Sequence, residues 1–270
     1  MKSGGVPLAG RAIAGCVAFW LLALAGCVSH SNFLSPAPRV SARYDLEGAR
    51  VIYIGEKHDE TYHHQIQERI IRRFHRQGLP FAVGMEMVDV TQQPALDDYL
   101  EKRISWSEFS RRTGFDRGWG RTSPAYQRIL SWCRKEAIPV VALNAPPIVT
   151  RKLARNEPLT VEQRRLVPNY PEPPGGFEQF RAAMSGHQTG GSLRRYYEAQ
   201  RAWDQTIAGR ILAWLPSHPG TLVVLLGQFH ADPRTGVPWY VARRSSAKQI
   251  ILLFDTEPET KNALRILNDS

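Results

Sequence analysis

The sequence predicts an α/β domain of three layers, a parallel sheet with helices on both faces and a small helical lid. Three observations carry this. Apolar runs at 50–54, 81–83, 138–143, 221–226 and 250–254 are rich in Val, Ile and Leu, the character of strands buried on both faces. Stretches with apolar residues at helical spacing lie between them, the alternation that produces parallel βαβ units. One stretch, 150–191, breaks the alternation with prolines and glycines and reads as an insertion.

The first segment is not part of this fold. Lys2 and Arg11 make a basic start, Ala12 to Ala25 is apolar, and Leu24-Ala25-Gly26-Cys27 follows. That is the layout of a secretory signal, here 1–26. A membrane anchor is the alternative, but the apolar run is shorter than the ~20 residues a spanning helix needs. The cleavage region resembles a bacterial lipobox, which implies lipidation of Cys27. Val28, with no Asp after the Cys, implies release to the outer membrane with the body in the periplasm. Residues 27–49, with Pro36, Pro38 and several serines, read as the lipidated Cys and its tether.

Residues 50–149 and 192–256 are expected to form the core. The strand at 50–54 runs into Gly55, Glu56 and His58, and then a helix over 60–77 with Ile66, Ile70 and Phe74 on one stripe, stopped at Gly78. His63 and His64 stand on its first turn; His64 is near enough to His58 in sequence to approach the same place. The strand at 81–83 ends at Gly84 and offers Glu86. Short helices are expected at 94–99 and 105–112, a Gly- and aromatic-rich loop at 114–120 holding Trp119, and an amphipathic helix at 126–137. The strand at 138–143 ends at Asn144. In the lid, 168–176 holds four prolines and two glycines, and 177–184 reads as a short helix. Ser192 is a good N-cap for a helix running to Leu215. The strand at 221–226 ends at Gly227-Gln228-Phe229-His230, a helix follows at 237–246, and 250–254 is the last strand. Residues 257–270 read as a polar tail with one short helix.

The strand ends are where chemistry is expected, because ligands of open α/β sheets bind at the carboxyl ends of the strands. Glu56, His58, Glu86, Asn144 and His230 all stand there. Each alone reads equally well as the first polar residue of a loop; two Gly-x-x-His endings make the set harder to dismiss. On the helix from 192, Tyr197, Gln200 and Asp204 share a face and Tyr196 and Trp203 an adjacent one. Two histidines with one or two carboxylates suit a divalent ion with an open water position. No Gly-x-Ser-x-Gly nucleophile motif occurs.

Composition excludes some classes. Of three cysteines only Cys133 would remain in the mature body, so no internal disulfide supports it. Net charge is +10 over the whole chain. The arginines are scattered through helical faces without interleaved aromatics, so no nucleic-acid partner is expected. No Cys-x-x-Cys-His occurs, which excludes covalent haem attachment of that type.

Gly55-Glu56-Lys57-His58-Asp59, Gly84-Met85-Glu86 and Gly227-Gln228-Phe229-His230 resemble the motifs of the ChaN family of haem-binding lipoproteins, within the group that contains Tiki and TraB proteins and the erythromycin esterases. Ala142-Leu143-Asn144-Ala145-Pro146 and Ala199-Gln200-x-x-Trp203-Asp204 sharpen the likeness, which runs from about Val51 to about Phe254. The resemblance implies non-covalent, b-type ferric haem held by a single tyrosine at a homodimer interface, with His and Lys contacts to the propionates. Tyr197 is the expected ligand and Tyr196 the alternative; a phenolate suits ferric iron. His187 is the expected propionate contact, with Lys152 a weaker one. The resemblance further implies haem or iron acquisition and an outer-membrane haem receptor as partner. The Tiki likeness implies the other reading, a metal-dependent peptidase or esterase built on His58, His230 and Glu86.

Overall fold

In the computed structural model, residues 46, 48–185, 192–254 and 264–268 are described. Cys27, the signal, the tether and His187 lie outside them. The elements are β1 (Val51–Glu56), α1 (Thr61–Arg76), β2 (Phe81–Asp89), α2 (Gln93–Leu100), α3 (Trp106–Thr113), α4 (Phe115–Trp119), α5 (Ser123–Lys135), β3 (Val140–Asn144), α6 (Pro147–Ala154), α7 (Val161–Leu166), α8 (Gly176–Ala183), α9 (Leu193–Trp214), β4 (Thr221–Gly227), α10 (Val237–Ala242), β5 (Gln249–Phe254) and β6 (Leu264–Asn268). None of the described helices is long and apolar enough to cross a membrane.

The strands form one sheet in the order β3-β2-β4-β1-β5-β6. The first five run parallel and β6 is antiparallel to β5. Successive residues of a strand face opposite layers, and the two cores sort accordingly. Ile52, Ile54, Val83, Met85, Val223 and Leu225 pack with α1 and α5 on one face. Val51, Tyr53, Leu222, Val224 and Leu226 pack with α9 and α10 on the other. Burying both faces explains why the strands are continuously apolar.

The expected strands and helices are present, most with ends within three residues of expectation; β2 runs six residues further, to Asp89, and α10 stops four residues earlier, at Ala242. Three expectations are corrected. Residues 115–119 form the short helix α4 rather than a loop: Gly114 and Gly120 take positive φ at its two ends, so the chain turns into and out of a single turn whose Phe115 and Trp119 are buried. Glu86 does not follow the end of its strand. β2 continues to Asp89 because β3 goes on pairing with it past a register shift, so Glu86 projects from inside the sheet. The C-terminal segment contributes a strand instead of a helix, since Leu264–Asn268 hydrogen-bonds along the free edge of β5.

Where described, the stretch 150–191 holds α7, α8 and most of α6, joined by irregular segments. Thr160 and Gln163 form a capping box at the start of α7. Arg201 Nη2 and Gln205 Nε2 on α9 both donate to the Tyr170 carbonyl, which fixes the Pro-rich connection against that helix.

Candidate functional site

Parallel register sets the site. Glu56 pairs with Gly227 across β1 and β4, and Met85 with Leu225 across β2 and β4. The ends of β1 and β4 and the body of the adjacent β2 thus bring Glu56, the Gly227–His230 turn and Glu86 together. Glu86 Oε2 accepts the Gly227 N–H at 2.6 Å. Gly227 permits this closeness: a Cβ there would sit 3.0 Å from His58 Nε2.

Two imidazoles flank Glu86, each backed by a second carboxylate. His58 Nδ1 donates to Glu56 Oε1 at 2.7 Å, and its Nε2 lies 4.0 Å from Glu86 Oε1. His230 Nδ1 donates to Asp204 Oδ1 at 2.6 Å, and its Nε2 lies 3.5 Å from the same Glu86 oxygen. Gln200 Nε2 is 3.0 Å from His230 Nδ1 and also donates to Asp204. Asp204, Glu86, Glu56 and His230 are buried; the His58 side chain keeps 35% of its surface exposed and is the way in.

Glu56 is the structural anchor. It is almost wholly buried, and it accepts from His58, Tyr126, Gln67 and His64. Burial by itself would raise its pKa, but the hydrogen bonds from His58 and His64 outweigh burial and hold the carboxyl well below the usual range. Burial disfavours a charged His230, yet Glu86 and Asp204 beside it push its pKa up to about 9. His58 and His64 are raised for the same kind of reason, against burial, by Glu56. His64 faces acceptors on both nitrogens, the His58 carbonyl at 2.9 Å and Glu56 Oε2 at 3.3 Å, the partners an imidazolium needs. At neutral pH His230 is therefore protonated between Glu86 and Asp204, and Glu56 shifts His58 and His64 toward their charged forms.

Of the sequence candidates, Glu56, His58, Glu86, Gln200, Asp204 and His230 meet. Asn144 does not join them: its Oδ1 accepts the N–H of its neighbour Ala145 at 2.9 Å, and it closes the end of β3. Trp119 sets its ring edge-on to His58, centroids 5.1 Å apart, and donates Nε1–H to the Met87 carbonyl. Tyr126 and Gln67 were not foreseen. Gln67 carried a weak signal, a polar residue beside Ile66 on the buried stripe of α1. Tyr126 carried none, since only the packing of α5 brings its hydroxyl to Glu56.

Tyr197 shares a helical face with Gln200 and Asp204 but not their surroundings. Helical side chains lean toward the N-terminus, so its ring points away from His230 and under α8. It packs on Phe177 and Phe180, with centroids 5.5 and 5.4 Å away, and Arg194 lies 5.2 Å over its face. Its hydroxyl is buried without a hydrogen-bond partner among the described residues, and burial pushes its pKa well above the ordinary value. Tyr196 is half-buried on the adjacent face. Lys152 Nζ donates to the Pro158 carbonyl.

A family model described as haem-binding uptake, Tiki superfamily, ChaN matches residues 43–241. The chain belongs to the ChaN family. This ChaN-family chain also resembles the solved structure of Campylobacter jejuni ChaN described by cofacial haem binding, at 18% identity and a TM-score of 0.58, over 83% of this chain and 89% of that one. Two further solved structures are similar at lower scores. One is RRSP, a MARTX toxin effector domain of Vibrio vulnificus, at 17% identity and a TM-score of 0.49, over 83% of this chain and 36% of that one. The other is an erythromycin esterase variant in its open conformation, at 13% identity and a TM-score of 0.48, over 83% and 76%. No curated protein sequence matches the chain.

Proposed function

We propose that this haem-binding ChaN-family protein is an outer-membrane-anchored lipoprotein of haem or iron acquisition that holds ferric haem non-covalently through Tyr197. The observation that carries the ligand assignment is the orphaned phenol. A buried hydroxyl without a partner costs stability, and Tyr197 keeps one on the helix that also supplies Gln200 and Asp204. Haem bound here supplies a ferric centre for a hard anionic oxygen and a flat apolar face. Tyr197 would give up its proton and donate the phenolate. Phe229, 67% exposed on the turn before His230, and Ile148, 44% exposed after β3, offer apolar surface beside the strand ends to a porphyrin face or a second copy. Tyr196 is the alternative ligand and His187 the propionate contact on this reading. Homodimerisation on haem, a receptor partner, and lipidation of Cys27 with the body in the periplasm complete it.

The paired dyads favour a second reading, general acid–base hydrolysis. Two imidazoles oriented by carboxylates and aimed at one Glu86 oxygen can exchange protons with a substrate that enters past His58. A divalent ion fits this donor set poorly. His230, pushed up to about 9 by Glu86 and Asp204, offers no free lone pair at neutral pH, and among the described residues no group of three or more His, Cys, Asp or Glu side chains is placed to hold a metal.

The test is a hemin titration of the mature chain beside Tyr197→Phe, with absorbance and size-exclusion elution followed together. Saturable binding with a tyrosinate-type ferric spectrum, lost in the variant, is expected. Equal binding by both proteins moves the ligand to another residue such as Tyr196, and no binding by either overturns the haem reading for this chain.

A further inference from the structure

We infer that α8 is a gate over Tyr197, latched to the turn that carries His230, so that access to the ligand phenol is governed from the strand-end centre. This deepens the haem reading and rests on it for the identity of the ligand.

Four residues make the cover. Gly176, the first residue of α8, lies directly against the Tyr197 hydroxyl: a Cβ at that position would collide with it. Phe177 and Phe180 close over two sides of the ring. Arg194 clamps the edge, stacking on both Phe177 and Tyr197 while it pairs with Glu172 ahead of α8. In this arrangement no iron could reach the oxygen.

The cover is held lightly. Phe177, Gln179 and Phe180 are only half-buried, and Glu178, Arg181 and Ala182 are exposed. Among the described residues the polar tie of α8 to the core is one hydrogen bond, from Gln179 Nε2 to Asp232 Oδ2 at 2.6 Å. Asp232 stands two residues after His230, and the turn is itself pinned, since the Val237 N–H donates to the His230 carbonyl. A ligand that displaces the 228–236 turn would thus strain the Gln179 latch, and freeing α8 would expose Tyr197. The closed state competes with ligation, so the apparent affinity for haem is scaled by the open fraction.

The test uses the mature chain, wild type and Gln179→Ala, which leaves Asp232 its contacts with Arg234. Stopped-flow hemin association should quicken about five-fold in the variant, the factor one net hydrogen bond is worth. Gly176→Ala, whose Cβ prevents closure, should quicken it at least as much. A readout that needs no haem runs in parallel: nitration of Tyr197 by tetranitromethane, followed by peptide mass, should be slow in the wild type and faster in both variants. Unchanged association and unchanged nitration in Gln179→Ala overturn the gate. If wild-type chain binds no hemin, the ligand assignment fails, and the nitration rates alone decide whether α8 covers Tyr197.

Discussion

Replacing Tyr197 by Phe should stabilise the protein without haem and remove its advantage with haem. The ring's packing on Phe177 and Phe180 and beneath Arg194 is unchanged by the substitution. The one atom lost is a hydroxyl that is shielded from water and donates to nothing among the described residues. Desolvating an unpartnered hydroxyl costs about 1–3 kcal/mol, so its removal should return a stabilisation of about 1–2 kcal/mol. For a domain of this size that raises Tm by roughly 2–8 °C, at about 2–4 °C per kcal/mol. Saturating hemin should reverse the order, because only the wild type gains ligation energy in proportion to the logarithm of ligand over Kd. Thermal unfolding of both proteins, with and without hemin, is the assay. A lower Tm for haem-free Tyr197→Phe would mean that the hydroxyl is bonded in solution, and would refute both the orphan and the argument built on it.

Other outcomes follow from the same geometry. His230 has a folded pKa raised to about 9 from 6.5; its contribution, on the order of 3 kcal/mol, is complete below pH 6.5 and lost as pH rises through 9. Urea midpoints should therefore fall between pH 6.5 and 9.5, with His58 and His64 adding in the same direction, and Asp204→Asn should flatten the fall. Glu56→Ala strands His58, His64 and Tyr126 around a vacated carboxylate and should cost about 3–5 kcal/mol, read by equilibrium unfolding. Gly227→Ala sets a methyl 3.0 Å from His58 Nε2 and should cost about 1–3 kcal/mol, with a displaced His58 ring signal in NMR titration; an unshifted signal would contradict the close approach.

Much of the site was legible because its residues mark strand ends. Gly-Glu-x-His at the end of β1 and Gly-x-x-His at the end of β4 are local patterns, in which an apolar run passing through Gly into polar residues marks the carboxyl end of the strand. Asp204 and Gln200 were legible for a different reason, as polar positions on one face of a long helix. Tyr126 was invisible, because its hydroxyl reaches Glu56 only through the packing of α5 against α1. Tyr197 was read onto the right helical face and into the wrong surroundings: residue spacing sets a side chain's bearing, while its tilt along the helix set the destination.

Periodicity and composition by themselves determined the α/β class, the five parallel strands and the long helices, since apolar pattern and turn residues act over a few positions. Only tertiary structure decided that β4 inserts between β1 and β2. Strand order depends on which buried faces pair across more than a hundred residues, and no local pattern records that choice. Because β4 lies there, Glu86 stands between His58 and His230, and polar residues of three separate strands become one centre.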